Sequence, residues 1–127
     1  MANTITMYLK YQNNDLYYSM DNVNFSPLEE DTITGVNTGD TVKWELAENS
    51  GIDKINGINV NETKSGRKSV DIWETKPKNT DSSHNTYSGL IKSGLDNSEK
   101  FNGYTIKYKT SDGDKEKDPG ITQPPSN

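Results

Sequence analysis

The chain has 127 residues, a formal net charge of −5, a mean hydropathy of −1.00 and no cysteine. Its length bounds it to one domain, the missing cysteines exclude disulfides, thiol catalysis and cysteine-based zinc sites, and the acidic balance argues against nucleic acid as a partner. Leu, Ile, Val and Phe number only 22, a level that marks disorder when net charge is high, but here the charge is modest and seven Tyr and two Trp supply further large apolar bodies.

Scattered apolar residues predict no membrane span. The start, Met1 to Met7, has no basic or apolar leader pattern, so the expectation is no signal peptide and a location that is cytoplasmic or reached by a signal-independent route. Thr4–Gln12 alternates, with Ile5, Met7, Leu9 and Tyr11 on one face and Thr6, Tyr8 and Lys10 on the other. Leu16–Met20 alternates too, and Asn13-Asn14 between them is a turn signal because Asn tolerates the left-handed backbone region. A two-residue loop there sets Tyr11 against Leu16, Leu9 against Tyr18 and Met7 against Met20, an all-apolar match that a one-residue slip would destroy.

Asp21–Asp31 reads as loop, Thr32–Val36 as a short strand, Asn37–Asp40 as a turn and Thr41–Leu46 as a strand with Val42, Trp44 and Leu46 inward. Ile52–Val60 is apolar but irregular. Its Ile52/Ile55/Ile58 spacing imitates a helical turn, while its Gly and Asn content argues for a bent strand or a bulge. Lys68–Trp73 reads as a strand, Lys76–Asn85 as a surface loop containing Pro77, Thr86–Ile91 as a strand and Lys92–Lys100 as a turn-rich connection. Gly103–Thr110 is a strand, Ser111–Asp114 a hairpin signal, and a last short strand falls near Ile121. The sum is an all-β domain over residues 1–122 with a flexible tail at 123–127: a single antiparallel β-sandwich of seven to nine short strands.

Two stretches carry a family resemblance. Thr34-Gly35-Val36-Asn37-Thr38-Gly39-Asp40-Thr41-Val42-Lys43-Trp44 resembles the x-V-x-x-G-D-T-V-x-W hairpin of cupredoxin-like sandwiches, and the ending Tyr104–Tyr108, Asp112-Gly113 and Asp118–Ile121 resembles the last hairpin of small cupredoxin-like or immunoglobulin-like domains. The resemblance implies the fold only. Blue copper needs two His and a Cys, whereas this chain has His84 alone and no Cys, so no cofactor is implied. In size and composition the chain is also similar to cargo or accessory proteins of bacterial contractile injection systems.

Asp81-Ser82-Ser83-His84 has triad-like chemistry, but four adjacent loop residues cannot set a nucleophile against both a base and an oxyanion hole. Glu29-Glu30-Asp31 offers paired carboxylates, which on a solvated turn lack the fixed separation of a glycosidase pair. Asp112, Asp114, Glu116 and Asp118 place oxygens at alternate positions, a weak calcium pattern that lacks the full loop motif and is interleaved with Lys115 and Lys117. Tyr8, Lys10 and Tyr17 fall on the outward face of the first hairpin. Trp73 is out of phase with Val70 and Ile72, so it is either exposed or turned inward by a bulge. Exposed aromatics stack on sugars or anchor protein partners. The expectation is therefore a non-enzymatic binding or structural module with no metal site, taking a protein or a carbohydrate through Tyr8, Lys10, Tyr17 and Trp73.

Overall fold

The computed structural model describes residues 3–29, 32–64, 66–81, 85–96 and 98–123. Among them are eleven strands: β1 (Thr4–Gln12), β2 (Asp15–Ser19), β3 (Ser26–Pro27), β4 (Ile33–Gly35), β5 (Thr41–Leu46), β6 (Lys54–Glu62), β7 (Trp73–Asn79), β8 (Thr86–Ile91), β9 (Lys100–Thr110), β10 (Gly113–Lys117) and β11 (Gly120–Gln123). One sheet runs β3-β2-β1-β5-β8-β7. The other runs β10-β9-β11-β4, with β6 also on β9. Both are mixed and not purely antiparallel as expected, because β1 pairs with β5 and β11 with β4 in parallel.

The first hairpin forms with the anticipated register: Gln12 faces Asp15, Tyr11 faces Leu16, Lys10 faces Tyr17 and Leu9 faces Tyr18. Asn13 (φ 52°) and Asn14 (φ 61°) are both left-handed, which matches the twist of the flanking strands. The pairing ends one residue early. Ser19 donates its hydroxyl to Asp21 at 2.7 Å, and the Asp21 carboxylate then accepts the N–H groups of Val23 and Asn24. That local turn replaces the ladder, so Met20 is 49% exposed instead of facing Met7.

Thr34–Trp44 is not a hairpin. Its two strands belong to different sheets, and the segment is a corner between them. Gly39 adopts φ 79° there, and the buried Asp40 carboxylate accepts N–H groups from Asn37 and Asn3, both at 2.9 Å. The final arm is a true hairpin. Lys117 pairs with Ile106 and Gly120 with Gly103, so register is kept through Asp118-Pro119, where Pro119 has no N–H to give. Counting β10 and β11 apart and adding the two-residue β3 accounts for a total above nine.

The irregular segments are bulged. In β6, Ile55 faces Tyr108 and Gly57 faces Lys107, leaving Asn56 as an extra residue. Ile55 and Ile58 both turn inward for that reason, with a spacing of three that only imitates a helix. The expected strand Lys68–Trp73 and loop Lys76–Asn85 are displaced: the strand is Trp73–Asn79 and includes Pro77. β7 lies at a sheet edge and pairs only with β8, with register shifts on both sides of Thr75. An edge and a bulge are where a strand tolerates proline.

The inner faces of both sheets enclose one apolar core. Trp44 of β5 meets Tyr104 of β9 edge-on, with ring centroids 5.4 Å apart. The Tyr104 hydroxyl also donates to Met7 Sδ at 3.7 Å, and its complete burial pushes the phenol well above its ordinary pKa. At one end of the core lies Asn102, fully buried. Its Oδ1 accepts from Trp73 Nε1 (3.1 Å) and Asn61 N (3.2 Å), and its Nδ2 donates to Asn61 Oδ1 (2.6 Å) and the Val70 carbonyl (2.8 Å). Replacing Asn102 with Ala strands those buried donors and acceptors, and a loss of about 2–4 kcal/mol is expected in urea unfolding, with strand content retained by circular dichroism.

Candidate functional site

The outer face of the six-stranded sheet carries the predicted aromatics. Tyr8 pairs with Ser19 on one side and Glu45 on the other, and Lys10 pairs with Tyr17. Alternation therefore puts Tyr8, Lys10 and Tyr17 on one surface, where all three are half-buried. Tyr17 in turn pairs with Pro27 of β3. Its hydroxyl accepts a long bond (3.4 Å) from Asn13 Nδ2. Lys10 Nζ lies 5.4 Å from the centre of the Phe25 ring, a cation–π distance. Phe25 was not singled out in the sequence, because it sits in a loop with no strand alternation to assign it a face.

Trp73 does not join this surface. The register shift between Trp73 and Thr75 turns it inward, where it is 3% exposed and lies 6.2 Å from Trp44. Gly89 makes room for it, since a Cβ there would stand 2.7 Å from the indole Cζ3.

The four carboxylates of the calcium pattern are engaged separately. Asp112 accepts from the Tyr11 hydroxyl at 3.2 Å. Asp114 faces Lys109 across the hairpin and accepts from Asn56, and Glu116 faces Lys107. Lys115 and Lys117 point to the opposite face, the first 5.6 Å from the Tyr11 ring and the second 2.7 Å from Asp15. Among the described residues no group of three or more His, Cys, Asp or Glu side chains is placed to hold a metal ion. Ser82, Ser83 and His84 of the triad-like run lie outside the described residues, as do Glu30 and Asp31. Glu29 is exposed.

A polar cluster covers the outer face of the second sheet and was not visible in the sequence. Thr105 of β9 donates to Asp118 Oδ1 at 2.6 Å and also lies in hydrogen-bond contact with Glu62 Oε1. Lys64 Nζ sits 3.2 Å from Asp118 and 3.4 Å from Glu62. One hydroxyl proton and one ammonium thus serve two carboxylates that are 43 and 13 residues from Thr105 in sequence. Gly103 admits the Lys64 stem, because a Cβ there would meet Lys64 Cγ and the Glu62 carbonyl, each at 2.6 Å. Nearby, Arg67 stacks on Phe101 at 4.3 Å and pairs with Glu99 at 2.8 Å.

At the end of the hairpins, burial pushes Tyr108 up to about 12, with the Asp15 and Tyr11 charges adding to it. The clefts are open and shallow. One of about 570 Å³, lined by Leu46, Ala47, Asn49, Ser50 and Ile52 among others, includes Asp53 as its one titratable side chain. No protein family matches the sequence, and no curated protein is significantly similar to it.

Burial alone would raise Asp118, but the Thr105 and Lys64 contacts outweigh it and hold the carboxyl below its ordinary range. Asp15 is lowered in the same way: desolvation is offset by Lys117 and the Leu16 N–H. A carboxyl depressed in the folded state stabilises it above the unfolded pKa, about 3.9, and that contribution fades as pH falls through the lower folded value. Asp118→Asn is expected to lower the unfolding free energy at neutral pH by roughly 1 kcal/mol or less and to flatten the acid limb between pH about 4 and 2, measured by urea unfolding at a series of pH values.

Proposed function

We propose that the chain is a non-enzymatic binding module of β-sandwich build, related in fold to cupredoxin-like or immunoglobulin-like domains, whose contact surface is the outer face of the six-stranded sheet around Tyr8, Lys10 and Tyr17, with a protein as the partner. The observation that carries this reading is the shared register of the three residues. Two half-exposed tyrosines stand diagonally across β1 and β2, with Lys10 directly opposite Tyr17, on strands flanked by β5 and β3. Tyrosine is rigid, amphipathic and over-represented among residues that dominate binding energy, and diagonal neighbours on a sheet lie roughly 7–8 Å apart. Phe25 extends the patch and orders the lysine. Of the two stretches that carry the resemblance, the closing β9–β10/β11 hairpin supports the fold kinship, and the Thr34–Trp44 corner does not.

A carbohydrate ligand is the second reading. The Asn13 amide beside the Tyr17 hydroxyl gives it a specific basis, because sugar sites combine a ring platform with amide donors. Immobilised wild-type protein is expected to retain a partner that the double variant Tyr8→Ala/Tyr17→Ala loses, while unfolding stability of the variant stays within about 1–2 kcal/mol of wild type. Equal retention by both would remove this surface from consideration. Retardation of wild type but not variant in gels cast with neutral polysaccharide would make the ligand a sugar.

A further inference from the structure

The sequence contains two Asn-Gly steps, Asn56-Gly57 and Asn102-Gly103. This is the dipeptide most prone to losing ammonia, because glycine leaves its own backbone nitrogen unhindered next to the asparagine carboxamide. The fold treats the two steps in opposite ways. We infer that Asn56 is a site of spontaneous deamidation and that the identical step at Asn102 is shielded by its hydrogen bonds.

The reaction needs a free glycine nitrogen, a mobile carboxamide and access for hydroxide and water. Asn102 meets none of these. Its carboxamide has no exposure, and its Nδ2 is held by two bonds of 2.6 and 2.8 Å. The Gly103 nitrogen that would attack already donates to Ser69 Oγ at 2.7 Å. Asn56 is exposed, and its Nδ2 has one long bond of 3.3 Å, to Asp114. It is the extra residue of the β6 bulge, between the Ile55–Tyr108 and Gly57–Lys107 pairs and itself without a partner on β9, where the ladder is locally disrupted. Open space surrounds the position of a Gly57 Cβ. A cleft of about 280 Å³, lined by Asn56, Lys107, Asp114, Lys115 and Glu116, brings water to the carboxamide.

Hydroxide takes the proton from the Gly57 nitrogen, which attacks Asn56 Cγ. The new N–Cγ bond forms, the Cγ–Nδ2 bond breaks, and ammonia leaves with a proton from water. Water then opens the five-membered imide at either carbonyl, giving aspartate or isoaspartate. The net change is one water gained and one ammonia lost, with no oxidant or reductant. The product places a carboxylate against Asp114 and adds one negative charge to the molecule.

The test is ageing of the purified full chain at neutral pH and physiological temperature, with peptide mapping by mass spectrometry over weeks. Residue 56 is expected to gain the mass of OH for NH₂ at least about tenfold faster than residue 102, whose reaction requires the sheet to open. In denaturing urea the two steps should react at similar rates, which isolates the fold as the cause. Gly57→Ala, with no clash at that position, should suppress the change at residue 56 in the folded protein. Comparable native rates at 56 and 102, or an unchanged rate in Gly57→Ala, would overturn the inference.

Discussion

A primary amide with no contact to water has to find all its partners within the protein, and the Asn102 carboxamide does so from two segments, Asn61 on β6 and the Val70–Trp73 stretch. An unpaired group at this depth costs more than the bond itself contributes, so the arrangement fixes geometry more than it adds attraction. Asn61 takes a left-handed φ of 62°, with its N–H donating to the side-chain Oδ1 of Asn102. Trp73 is anchored by its indole N–H, and this sets its ring over Gly89 and toward Trp44. Trp44 then meets Tyr104, and Tyr104 meets Met7. A polar contact at one end of the core is therefore continuous with the apolar packing that joins the two sheets.

Strands whose sequence alternates cleanly were legible from the sequence. β1, β5 and β8 start and stop at the residues that periodicity assigns, and the β1–β2 register follows from apolar matching around Asn13-Asn14. Bulges were the main obstacle, because they break the period that carries the signal. They hide the strand character of β7 behind Pro77 and lend Ile55 and Ile58 a false helical spacing. The parallel pairings were illegible for another reason. β1–β5 and β11–β4 join segments with no shared turn, so no local motif announces them. At the candidate site Tyr8, Lys10 and Tyr17 followed from alternation, whereas Phe25 and the Glu62–Lys64–Thr105–Asp118 cluster depend on tertiary approach alone.

The two outer faces differ in chemistry. That of the six-stranded sheet presents tyrosines, hydroxyl side chains and the internal Lys43–Glu45 pair, 3.1 Å apart. That of the second sheet is a field of paired opposite charges: Asp114 against Lys109, Glu116 against Lys107, Asp118 against Lys64. Strands crowded with both signs of charge resist unwanted pairing with other chains. Rings that keep partial exposure without forming a broad apolar patch suit selective contact.

The parallel pair β4–β11 has a kinetic consequence. Ile33 aligns with Gly120, and Val36 donates to the Thr122 carbonyl, so the two paired strands are separated by most of the domain's other strands. Loop closure over that distance is entropically costly before any contact forms, and folds rich in such pairings fold slowly. During synthesis β4 waits without its neighbour until β11 has left the ribosome. The first hairpin and β5 can assemble well before that. For this molecule the order of synthesis and the order of sheet completion are far apart, and β4 lacks its one sheet partner in the interval.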